Sequence, residues 1–436
     1  MATLQNTKIK DTYPALLKAD DNGVIGTTEK VITDGLGNAS ILSIGTQSAS
    51  FSEDIEVNGL TIGLGSGSIV TNTALGLDAL LANTSGSGNV SVGQGSLRTN
   101  TTGSSNVAVG KDALRSNTTG GSNIAIGYYS LHSNTTGQNN TAVGVSSLYA
   151  NTGSYNTALG ALALIDNTTG SNNVAIGYAS LGNNIDGNES VAVGHLSLNA
   201  NTTGAYNTAI GNAALYDNTE GQNNTAVGHS SANSNTTGLY NTALGSSALY
   251  ANETSGSNTA LGYNALRDTT GASNTAIGSG AGDTNTTGSN NIYIGYDAVG
   301  SAATNDNEIV IGTSATGNGS NTATYGNASI TDHYFNGNIT LSDTGNPSLI
   351  VQDTAGGSSF LELLAGNTGT SNIYLGDTDD NNAGAIVYDH SDNSMSFRVN
   401  GFLEKMRIDS DGNLAVDTDT LYVDAASNGV GFGTTN

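Results

Sequence analysis

Residues 123–139 read NIAIGYYSLHSNTTGQN, and the phrase begins again at Asn140 with NTAVG. Taking Gly127 as an anchor, equivalent glycines stand at Gly76, Gly93, Gly110, Gly144, Gly160, Gly177, Gly194, Gly211, Gly228, Gly245, Gly262, Gly278, Gly295 and Gly312. Successive anchors are 17 residues apart, except for 16 between Gly144 and Gly160 and between Gly262 and Gly278. A fixed period of this length, with Gly and Asn at constant offsets, predicts stacked β-coils in which each unit rests on its neighbours.

Counted from the anchor, the unit is N-[TVI]-A-[VIL]-G-x-x-[AS]-L-x-x-N-T-T-G-x-x, with two strand-like pieces. The residues three and one before the glycine, such as Ile124 and Ile126 around Ala125 or Val174 and Ile176 around Ala175, share one face of an extended segment. Their branched side chains are expected to point inward. Leucine follows four residues after the anchor in most units, with Ala232, Gly282 and Val299 as substitutes. One large apolar residue per half-coil makes a thin core. Fully burying a branched side chain contributes roughly 1.5–3 kcal/mol, whereas ordering a backbone costs about 1–2 kcal/mol per residue. Burial shared between identical chains, as a homotrimer, is therefore expected. The Asn-Thr-Thr-Gly phrase, as at Asn100–Gly103 and Asn134–Gly137, reads as a corner in which Asn and Gly supply the left-handed conformation. Asparagines in register should form hydrogen-bonded ladders. The 16-residue units lose their residue at this corner, as in Asn151-Thr152-Gly153.

Composition agrees with a periodic backbone. Of 436 residues 60 are Gly and only 2 Pro, and charged residues are 11%. A disordered chain is usually richer in charge and proline. The net charge of −25 repels phosphate, so no nucleic-acid partner is expected. No cysteine is present, which excludes disulfides and thiolate metal sites. Neither a secretory apolar core near the N-terminus nor a stretch of transmembrane length is read, so the chain is expected to be made in the cytoplasm without membrane insertion.

The expected fold is all-β: a parallel β-roll or β-helix solenoid of 17-residue coils, homotrimeric on the burial argument above, with small β domains at both ends. Its division is 1–70 as attachment and cap, 71–315 as shaft, 316–345 as connector and 346–436 as a β tip. In the tip, Met395, Phe397 and Val399 alternate with polar residues before the hairpin signal Asn400-Gly401, and Phe402, Glu404, Met406 and Ile408 follow. The last residues, Val430 to Asn436, stop in what reads as strand and turn, so a further C-terminal piece, either removed or never included, is expected.

Two families share these residues. The N-[TV]-A-[VIL]-G and [AS]-L phrase over about 72–312 resembles the head repeats of trimeric autotransporter adhesins, which implies a parallel β-roll in a homotrimer. The signal peptide and membrane anchor of those adhesins are not read here. The opening Met1 to Leu17, together with Met406 to Asn413 and Gly429 to Gly433, resembles bacteriophage tail-fibre and virion appendage proteins. That resemblance implies a virion-borne structural fibre without enzymatic activity. Its N-terminus would dock on a baseplate, tail or capsid protein, its C-terminus would meet a host glycan or protein, and a chaperone domain would be released after assembly. A bacterial surface adhesin is the alternative. An ice-binding solenoid, against which inward threonines would count, and a polysaccharide depolymerase follow.

No catalytic, cofactor or metal residue is expected. Asp377, Asp379, Asp380 and Asp389 beside His390 could pair for glycoside cleavage or a loose Ca²⁺ site, but they sit among Asn and Gly as solvated turns. His132, His195, His229, His333 and His390 are scattered, and His195 and His229 share a register two coils apart. That separation is too wide for one metal ion. Tyr149, Tyr216 and Tyr250, five after an anchor, and Tyr155, Tyr206 and Tyr240, five before the next, read as packing across corners or between chains, with a sugar-stacking stripe as the other reading.

Overall fold

The structure, a computed structural model, describes the chain continuously from residue 60 to 330. Outside that range it describes short strands in the first 59 residues and, in the C-terminal part, chiefly 368–376, 383–399, 403–416, 421–424 and 429–431. The chain divides into two compact units, Met1–His333 and Tyr334–Asn436.

The first unit is built on the repeat. Each coil carries one three-residue strand, from Thr73–Leu75 through Val107–Val109 and Thr208–Ile210 to Ile309–Ile311, ending with Ala323–Tyr325. Every strand pairs in parallel with the next coil's strand at equivalent residues, as Ile124↔Thr141, Ala125↔Ala142 and Ile126↔Val143. Both 16-residue coils keep this register, Thr141↔Thr157 and Thr259↔Thr275, so the deletion is absorbed outside the strand. Fifteen coils at about 4.8 Å each span roughly 70 Å. The hairpin Ile55–Val57 and Leu60–Gly63 adds antiparallel to Thr73–Leu75 and covers the edge of the first coil.

The second strand-like piece is not a strand. Residues two and four after the anchor adopt positive φ, as at Asp112 (56°), Leu114 (49°), Ser146 (54°) and Leu148 (51°), which turns the chain back on itself. The result is a turn ribbon whose backbone still bonds coil to coil, Leu131 N donating to Ser147 O at 2.9 Å. A leucine in the left-handed region costs of order 1–2 kcal/mol. Its complete burial, 0% exposed at Leu114, Leu131 and Leu148 among others, offsets that cost.

The facing of the strands is opposite to expectation. The middle residue is the buried one, with Ala108, Ala125, Ala142 and Ala158 all 0% exposed, and the branched residues on either side point outward. A coil this narrow already holds the leucine and the small Ala or Ser before it, leaving room only for a methyl opposite. The last coils show the volume rule in exception. Gly282 replaces the leucine, and the freed space is filled by Tyr293 at the next coil's alanine position; a Cβ on Gly282 would lie 2.7 Å from Tyr293 Cδ2.

The corner also works differently from expectation. Neither its Asn nor its Gly has positive φ. The asparagine is buried and forms the expected ladder: Asn117 Nδ2 donates to Asn100 Oδ1 at 2.7 Å, and Asn218 Nδ2 to Asn201 Oδ1 at 2.8 Å. The glycine is there for close approach, since a Cβ on Gly221 would lie 2.7 Å from the Gly238 carbonyl oxygen. A second ladder uses the asparagine four before the anchor. Asn106 N donates to Asn89 Oδ1 at 3.0 Å, while Asn106 Nδ2 donates to Gly120 O at 2.9 Å.

At Thr269 the corner ladder is broken. Threonine has no amide to donate, and Asn252 Oδ1 is left buried without a partner. An orphaned buried acceptor is costly. Thr269→Asn should therefore raise stability by about 1 kcal/mol, read as a higher thermal midpoint by circular dichroism.

In the second unit seven strands from Thr370–Leu375 to Gly429–Gly431 form an antiparallel meander in chain order. The expected hairpin joins Ser394–Val399 to Leu403–Ile408, with a register shift between Phe397 and Arg398. Of the alternating apolar residues, Phe397 and Met406 are half-buried. Ser394 and Ser396 are buried, as are Ala385 and Val387, whereas Met395, Val399 and Leu403 are exposed.

Candidate interaction surfaces

Because the strands are in register, their outward residues form two parallel rows along the solenoid. The row nearer the anchor contains only Val, Ile and Leu from Leu75 to Ile311. Ile126 is 40% exposed, Leu159 47% and Leu244 43%. The other row mixes Thr with Val and Ile, and five consecutive coils present Thr208, Thr225, Thr242, Thr259 and Thr275. An uninterrupted aliphatic row of this length on a single chain is a large exposed apolar patch, the mark of an interaction surface. The outward threonines also withdraw the inward placement that counted against ice binding.

Rings gather on the turn ribbon. His132 stacks on Tyr149 (centroids 5.0 Å, planes 8° apart), and Tyr129 stands edge-on to both, 5.0 Å from His132 and 5.9 Å from Tyr149. Tyr128 adjoins Tyr129 at 4.0 Å. Burial first, and then the neighbouring Arg115, push the His132 pKa down. A hydrogen bond with Tyr128 raises that of Tyr129. Farther along, Tyr178 stacks on His195 at 5.5 Å, and His195 Nδ1 lies 3.2 Å from Asn212 Nδ2. His195 and His229 are both exposed in the same register, as placed from sequence.

Of the tyrosines picked out from sequence, Tyr155, Tyr206 and Tyr240 are well exposed, Tyr250 less so, and Tyr149 and Tyr216 are half-buried. Sequence reasoning missed Tyr128, Tyr178, Tyr263 and Tyr296, all exposed directly after an anchor glycine. The signal was the register already noted for His195 and His229.

Asp377, Asp379 and Asp380 lie outside the described residues. Asp389 accepts hydrogen bonds from Ser391 Oγ (2.6 Å) and Ser391 N (2.9 Å), which hold its carboxyl below the usual range. It closes a turn. His390 Nε2 lies 3.0 Å from Ser371 Oγ beside an apolar hollow of about 200 Å³ lined by Leu361, Ile373 and Met395. Among the described residues no three His, Cys, Asp or Glu side chains group to hold a metal ion, and no helix is long and apolar enough to cross a membrane.

Among the described residues one charged group is wholly buried. Glu308 stands where most coils have asparagine, accepting from Gly319 N at 2.9 Å and Asn305 Nδ2 at 3.1 Å. Burial, and then the Glu308 charge, push the nearby Tyr293 hydroxyl far above its ordinary value, and that hydroxyl has no partner. The pair closes the last coils. Comparison with protein-family models, curated proteins and solved structures finds no match.

Proposed function

We propose that the chain is a structural fibre of a virion appendage, assembled as a homotrimer, with the solenoid as shaft. The observation that carries the assembly is the aliphatic row from Leu75 to Ile311, outward on the single chain and continuous over every coil. Pairing such rows around a common axis supplies the apolar burial that a core of one leucine per coil lacks. The exposed Met395, Val399 and Leu403 make the same demand in the second unit.

The virion assignment rests on the resemblance of the flanks to tail-fibre proteins. It makes the N-terminal part the attachment to a virion protein, the C-terminal part the contact with a host surface glycan or protein, and the whole structural in role. Light scattering of the purified protein should give about three times the chain mass of 43.7 kDa. A stable monomer would remove the trimeric fibre. If that monomer also produced thermal hysteresis, the outward threonine row from Thr208 to Thr275 would be assigned to ice instead.

A further inference from the structure

The shaft has four Lys or Arg residues, and three of them, Arg98, Lys111 and Arg115, fall on two successive coils. Between residues 79 and 165 the only carboxylate is Asp112, in a chain whose net charge is −25. Arg98 and Arg115 are held by Asp78 and Asp112, each at 3.4 Å, with their guanidinium groups partly exposed. The fifth position after the anchor then reads Arg98, Arg115, His132, Tyr149 over four consecutive coils. Parallel register sets these side chains in one line at intervals of about 4.8 Å.

We propose that this line, with Lys111 and the ring of Tyr129, is a binding site for a carboxylated oligosaccharide lying along the shaft. The coil rise is close to the length of one pyranose residue in an extended glycan, so successive sugars meet successive coils. The Tyr129 ring and the outer surface of the His132–Tyr149 stack offer apolar contact to the C–H side of a sugar. The cations beside them offer charge-assisted hydrogen bonds to uronate groups. Neighbouring stretches of the shaft, from Asp166 onward, are acidic and repel the same ligand, which confines it to these coils. A single-stranded nucleic acid shares the taste for rings and cations, but three cations within so negative a chain are too few for its phosphates. The site lies on the turn ribbon and depends neither on the virion assignment nor on the number of chains.

Calorimetric titration of the full chain with a galacturonate hexamer tests this, with a neutral galactose oligomer and oligo-dT as the other arms. Binding of the uronate is expected to weaken at least tenfold in the double variant His132→Ala, Tyr149→Ala, and to a similar extent in Lys111→Glu, Arg115→Glu, which keeps every ring. Tyr250→Ala, at the equivalent position of a distant coil, should leave it unchanged. Absence of uronate binding at millimolar concentration, equal affinity for the neutral oligomer, tighter binding of oligo-dT, or indifference to both double variants would each overturn the proposal.

Discussion

Ile126→Glu is expected to convert the assembled protein into single chains and to lower its thermal midpoint sharply. Ile126 belongs to the aliphatic row and is 40% exposed on the single chain. On an isolated solenoid a charge there meets water, and the change should stay within about 0.5 kcal/mol, as at other surface positions. In a trimer packed through these rows, three carboxylates are drawn together out of water. Breaking up such an interface around an unpaired buried charge costs on the order of 3–5 kcal/mol. Light scattering separates the cases by mass. Lowering the pH should restore association, because burial raises the carboxyl pKa and protonation removes the charge. An unchanged mass at pH 7 would show that the row is not the contact.

A second large effect is expected at the anchor glycine. Gly110 has φ +135°, and a Cβ there would lie 2.5 Å from the Gly127 carbonyl oxygen and 2.7 Å from its carbon. Backbone strain alone costs about 1–3 kcal/mol. The clash adds to it, since neither partner is a flexible side chain and the coils must separate. Gly110→Ala should therefore exceed about 4 kcal/mol, a size seen only with a specific structural cause. Gly319 provides the control: its φ is +114° and nothing lies within 4 Å of where a methyl would stand, so Gly319→Ala carries strain without collision. Hydrogen exchange should show accelerated opening of the coils next to Gly110 and little change at Gly319. Equal effects of the two substitutions would remove the steric argument.

The repeat, the coil boundaries and the strand positions could be read directly, because the anchor position has a positive φ and a close backbone approach that only glycine satisfies, and it recurs at a fixed spacing beside short apolar runs. The asparagine ladder was legible for the same reason. Which face turned inward was not. Alternation divides Ile124 and Ile126 from Ala125 but does not say which side has room, and that is decided by Leu131 and Ser130, folded in from the other side of the coil. Left-handed leucine was equally hidden, since side-chain preference alone argues for Asn or Gly at such positions. The ring cluster needed two registers to be superimposed. Tyr129, His132 and Tyr149 are 3 and 17 residues apart, and only the coil period makes them neighbours.

Along the corner ladder, from Asn83 to Asn252, each side-chain N–H points to the oxygen of the coil before it, so eleven amide dipoles are aligned head to tail. Each bond polarises the next. Strand pairing donates in both axial directions and largely cancels, but this file of amides does not. The ladder itself is therefore an electrically polar file, its N–H end at Asn83 and its free oxygen at Asn252. Copies assembled in parallel would run these files in the same direction, while an antiparallel arrangement would oppose them.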